Sequence, residues 1–213
     1  MSFPFFEFAT LMATFSVAAI SPGPDFAMVV RQSIVHGRRT AILTSAGIAS
    51  AILVHGTYTI LGIGLVVTQS LLLFNLLKLA GAAYLLWLGI SAIRAPAPKA
   101  PAALAAASPA QPEIGAARAF VIGFLTNLLN PKAMLFFLSL FTTLVDAHTA
   151  VVVKSAYVGA MSAILFVWFA LVSLFFTTPS VRAGFYRMGQ WFNRVTGAAL
   201  IFLAIRVAVT QRN

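Results

Sequence analysis

Long apolar runs separated by short polar turns dominate the chain. A membrane-spanning helix needs about 20 mostly apolar residues. Six runs reach that length and predict helices over about Pro4 to Val35, Thr40 to Thr68, Ser70 to Ile93, Ala119 to Val145, Ala150 to Thr177 and Gly189 to Val209. Two of them are interrupted: the first by Ser21-Pro22-Gly23-Pro24-Asp25, the fourth by Asn127-Leu128-Leu129-Asn130-Pro131-Lys132. Proline has no N–H to give to a helix, and Gly23 lets the backbone bend. In lipid, such a break is tolerated only where protein buries it or where it lines a cavity.

The runs fall into two sets of three. Lys78-Leu79-Ala80-Gly81-Ala82-Ala83 opens the third helix and Arg194-Val195-Thr196-Gly197-Ala198-Ala199 the sixth, both reading basic-x-x-Gly-Ala-Ala. Setting Pro22 on Pro131 also sets Thr40-Ala41 on Thr149-Ala150. The expected fold is therefore an all-α integral membrane protein. Its six transmembrane helices form two inverted three-helix repeats, with helices 1 and 4 broken at prolines, because an odd number of spans inserts the second repeat upside down. The halves are residues 1–93 and 119–213. Residues 94–118, rich in Ala and Pro, read as a flexible linker. The first run lacks a positive flank between Met1 and Phe8, so it reads as a retained helix rather than a signal peptide.

Composition agrees with this reading. The chain is 61% hydrophobic and 8% charged, against about 45–50% and about 25% in soluble domains. Without cysteine there is neither a disulfide nor a thiolate metal site. The net charge of +10 does not indicate nucleic acid, since no basic stripe carries interleaved aromatics. Arg31, Arg38, Arg39, Arg94, Lys99, Arg118, Arg182 and Arg187 sit on one side of the expected topology, and little beyond Lys154 and Arg212 on the other. The basic side is cytoplasmic, which places both termini outside and the linker in the cytosol.

The candidate chemistry lies at the breaks. A charge within a span costs about 2.5–3.5 kcal/mol even on insertion scales. Asp25 is the one acid deep in a predicted helix. It either caps the half-helix that restarts after the break, or binds a substrate ammonium or coupling proton. Both prolines lie about 13 residues from their helix ends, or about 20 Å at 1.5 Å per residue, near mid-membrane. Asn127 and Asn130 offer amides. Lys132 either receives a carboxylate beside free N–H groups, pairs with Asp25, or snorkels toward the cytosol. Gly47, Ala51 and His55 share one face of helix 2, the kind of small-residue face on which membrane helices pack. His55 should point into the bundle, as a proton relay or simply hydrogen-bonded to a neighbour. Such faces also permit a homodimer. Tyr84, Trp87, Trp168 and Trp191 read as packing or interfacial anchors. No carboxylate dyad, metal cluster or phosphate loop stands out, so no enzyme activity, resident metal or cofactor is expected.

These residues carry a resemblance. The two broken motifs, His36-Gly37-Arg38-Arg39-Thr40-Ala41, and Leu77-Lys78-Leu79-Ala80-Gly81-Ala82-Ala83-Tyr84-Leu85-Leu86-Trp87-Leu88-Gly89 together resemble the LysE/RhtB family of bacterial amino-acid exporters. The resemblance implies export of amino acids or close derivatives, of the homoserine, threonine or lysine kind, across the cytoplasmic membrane by proton exchange. The expected partners are a small zwitterionic amino acid, protons and the lipid bilayer. Two rivals differ in class. A divalent-metal exporter would want several oxygen or imidazole ligands, for which Asp25 and a distant His55 are sparse. A non-transporting scaffold would not need a charged, doubly broken core.

Overall fold

The computed structural model describes residues 4–96, 114–176 and 178–209. These form eight helices: α1 (Phe5–Ile20), α2 (Pro24–Val35), α3 (Arg38–Gln69), α4 (Leu71–Arg94), α5 (Ala116–Leu128), α6 (Pro131–Leu144), α7 (Val151–Phe175) and α8 (Pro179–Val209). Most of the expected linker, with Lys99, lies outside the described residues, as does Arg212.

Both predicted breaks divide helices. The α1–α2 pair bends by 55° and the α5–α6 pair by 60°. Extended backbone at Ser21 and Gly23 ends α1 and opens α2, with Pro24 in the first turn. Pro131 starts α6 in the same way, behind an extended Asn130. Proline suits the first helical position because its missing N–H would have no helical partner there. Three single helices contain a stretch long and apolar enough to cross a membrane, Arg38–Gly62, Asn75–Arg94 and Val151–Phe175, and each bent pair passes the same test when taken as one span. The continuous apolar part of α8 is shorter, Asn193–Ile205. Moreover, α8 begins at Pro179, ahead of the Gly189 expected from hydropathy, so Arg182 and Arg187 lie on a helix rather than in a loop. Hydropathy marks where a helix is apolar, not where its hydrogen-bond ladder starts.

Glycine contacts set the packing. A Cβ on Gly47 of α3 would meet the Phe120 carbonyl of α5, and one on Gly123 of α5 would meet the Thr44 carbonyl of α3. The two backbones touch, and the Thr44 hydroxyl donates across the seam to the Ala119 carbonyl at 3.1 Å. Helices α4 and α8 touch similarly: a Cβ on Gly89 would lie 2.7 Å from the Gly197 carbonyl oxygen. These small-residue faces are used for contacts within the chain. Such close approach is how helices associate where no hydrophobic effect drives them together.

Leu11, Val29, Val30, Phe137, Leu140, Phe141 and Met161 fill the core. At one end, Glu7 ties α1 to the turn before α7. Its carboxylate accepts the Asp146 N–H at 2.8 Å and the Thr149 hydroxyl at 3.0 Å. Large apolar side chains such as Leu61, Leu72, Val152 and Phe202 point outward, a surface suited to lipid.

The α3–α5 seam yields a prediction. Gly123→Ala forces a methyl into the Thr44 carbonyl, an overpacking that costs about 1–3 kcal/mol. Gly159→Ala, on an open stretch of α7, gains up to about 1 kcal/mol of helix propensity. Thermal denaturation in detergent should separate the two, with Gly123→Ala melting lower than the parent and Gly159→Ala not lower.

Candidate functional site

The bends bring the two breaks to one cavity of about 100 Å³, with all eight helices contributing to its wall. Water occupies about 30 Å³ in the liquid, so the space suits a few waters or a small solute. Phe15, Ile52, Leu88, Phe137 and Phe169 make much of the wall apolar. Asp25, Asn127, Asn130 and Lys132 supply polar groups.

Asp25 lies in the first turn of α2, yet α2 has no side-chain cap. Its Oδ2 instead accepts from the Asn127 amide at 2.8 Å, joining residues 102 positions apart. The capping role falls to Asn130, whose Oδ1 accepts the Lys132 N–H at 3.1 Å and so starts α6. The Asn130 side chain also faces the Asp25 carboxylate, and Lys132 acts on it through the field. Among the described residues, however, the Lys132 ammonium makes neither an ion pair nor a hydrogen bond. The Tyr84 hydroxyl reaches the Lys132 carbonyl at 3.4 Å.

His55 is buried, with 1% of its surface exposed. Its Nε2 lies 3.3 Å from the Asn127 carbonyl and its Nδ1 2.5 Å from the Tyr58 hydroxyl. A carbonyl only accepts, so Nε2 carries the hydrogen; in the neutral ring Nδ1 then accepts from Tyr58. Both ring nitrogens are engaged, which leaves neither available to a metal. The imidazole thus holds the backbone of the residue whose side chain holds Asp25. Tyr58 was missed by sequence reasoning, although its spacing of three from His55 on one helix face was a usable signal.

Two acceptor atoms in this network lack partners. Asp25 Oδ1 and Asn127 Oδ1 are buried and make no hydrogen bond among the described residues. A buried polar atom left unpaired costs about 1–3 kcal/mol. The site therefore holds two buried, unsatisfied acceptors, on Asp25 and Asn127, and an unpaired ammonium on Lys132.

A family profile described as LysE type translocator matches residues 16–211. The chain belongs to this family. It is 29% identical over 204 residues to a threonine efflux protein of Salmonella typhi, covering 96% of this chain and 98% of that one. It is 28% identical to the threonine efflux protein of Escherichia coli K12 over the same shares. A homoserine/homoserine lactone efflux protein of Salmonella typhimurium is 37% identical over 134 residues, 63% of this chain and 62% of that one. No solved structure matches.

If Asn127 and Asp25 depend on one another as this geometry requires, their truncations are not additive. A double-mutant cycle with Asp25→Ala and Asn127→Ala, read by thermal unfolding in detergent, should give a coupling of at least about 0.5 kcal/mol, the range for groups in one hydrogen-bond network.

Proposed function

We propose that this chain exports small zwitterionic amino acids across the bacterial cytoplasmic membrane in exchange for protons, from a site between its two broken helices. Membership of the LysE type translocator family and the efflux relatives support amino-acid export. The observation that carries the site is the pair of unpartnered oxygens, Asp25 Oδ1 and Asn127 Oδ1. An ammonium group has three N–H donors and a positive charge, the complement of those atoms. The substrate carboxylate then rests on the Lys132 ammonium. A proton on Asp25 Oδ1 competes with the ammonium for the same atom, so one leaves when the other binds. This competition is the physical basis of exchange. His55 and Tyr58 serve as positioning groups in this reading, while Asn130 shapes the start of α6.

The architecture proposed with it has six spans in two inverted halves, 1–93 and 119–213, joined by a cytosolic linker over 94–118. The two bent pairs, 55° and 60°, support it, as does the close contact of α4 with α8, the third helices of the two halves. Both termini lie outside in this scheme. Glu7 then closes the outer end against Asp146 and Thr149, while Arg38, Arg39 and Arg94 lie at helix ends on the cytosolic side.

The test is efflux of threonine and homoserine from loaded right-side-out vesicles, with lumen pH followed by a dye. Wild-type efflux should acidify the lumen. Asp25→Asn and Lys132→Ala should each slow efflux about tenfold or more, since a hydrogen bond to a charged group contributes about 1.5–3 kcal/mol. Wild-type rates in both variants would sink the site, and a constant lumen pH would sink the proton coupling.

A further inference from the structure

A second cavity of about 240 Å³ lies beside the first, and Lys132 lines both. Ser21, Trp87, Ser91 and Asn193 also line it. No acidic residue does so among the described residues. Most hydroxyls in these helices donate to the carbonyl one turn back, as at Ser16, Thr44, Ser45 and Ser173. Ser21 and Ser91 are different: among the described residues neither hydroxyl has a partner. Asn193 is 5% exposed and is steered by a 3.3 Å bond from its amide to the Pro96 carbonyl. Two residues with free hydroxyls, Lys132, and an amide with one N–H spent on Pro96 therefore line one space. Such a donor-rich set without acid suits an anion.

We propose that this cavity is a second binding station, which takes the carboxylate of the amino acid before the ammonium reaches Asp25. The inference rests on the export reading above. The station lies by Ala95 and Pro96, just past the end of α4, the end that is cytosolic in that reading. Lys132 belongs to both cavities, so its flexible stem can keep hold of the carboxylate while the substrate moves from this cavity to the one at Asp25. The Ser21-Pro22 break lies at the same border and gives the passage a wall without a continuous helix.

An anionic lipid headgroup would offer similar chemistry, and the experiment separates the two sources. In Trp168→Phe/Trp191→Phe protein, Trp87 reports on the cavity. Sodium acetate should change its fluorescence saturably, and ethylammonium chloride at matched ionic strength should not. Ser91→Leu, which fills the space, and the isosteric Asn193→Asp, which adds a repelling charge, should both abolish the acetate response. In efflux assays both should raise the KM for threonine about tenfold, the equivalent of one lost charge-assisted contact, and more than they lower the maximal rate. The KM rise should be equal in phosphatidylcholine vesicles with and without phosphatidylglycerol. A rise confined to phosphatidylglycerol vesicles would assign the cavity to lipid and overturn the proposal, as would a flat acetate titration or an unchanged KM. Absence of any wild-type amino-acid flux would overturn the export reading, independently of the acetate titration.

Discussion

Hydrocarbon offers no hydrogen bonds, so a helix interrupted inside a membrane must find partners for its freed backbone within the protein. This constraint shapes the centre of the molecule. At the second break Asn130 caps α6, and the Asn127 carbonyl accepts from the Asn130 N–H and from His55. At the first break two prolines remove N–H donors, and the Asp25 side chain turns away from capping toward Asn127. One side-chain bond, from Asn127 to Asp25, joins the two breaks, and both line the same cavity.

The contact of α3 with α5 supports that arrangement. Gly47 and Gly123 let the two backbones touch, and further along the same seam His55 reaches the Asn127 carbonyl. A chain of contacts therefore runs from a glycine seam through an imidazole to the amide that holds the acid. Close packing in a membrane is commonly read as stability alone. Here it also fixes where a polar group can sit among apolar walls. The site's unlike polar groups, acceptors on Asp25 and Asn127 and a cation on Lys132, are held in place by it.

The sites of the breaks were legible in the sequence, because proline acts on its own backbone wherever it stands. The apolar runs were legible too, within a few residues at most ends, because lipid demands length and apolarity of each span separately. The start of α8 was not, since a polar helical turn leaves no hydropathy signal. Nor was the choice among roles for Asp25: a carboxylate after Pro24 can cap a helix as readily as it can meet an amide 102 residues away.

The sequence by itself determined the membrane class, the two interruptions and the residue types placed at them, all of which depend on local composition and on backbone chemistry. Only the tertiary structure decided that Asn127 holds Asp25, that Asn130 caps α6, that Tyr58 supports His55, and that Lys132 stands between two cavities. Those facts depend on how helices distant in the chain bend and approach. That approach is set by glycine contacts between pairs of helices, which no single segment encodes.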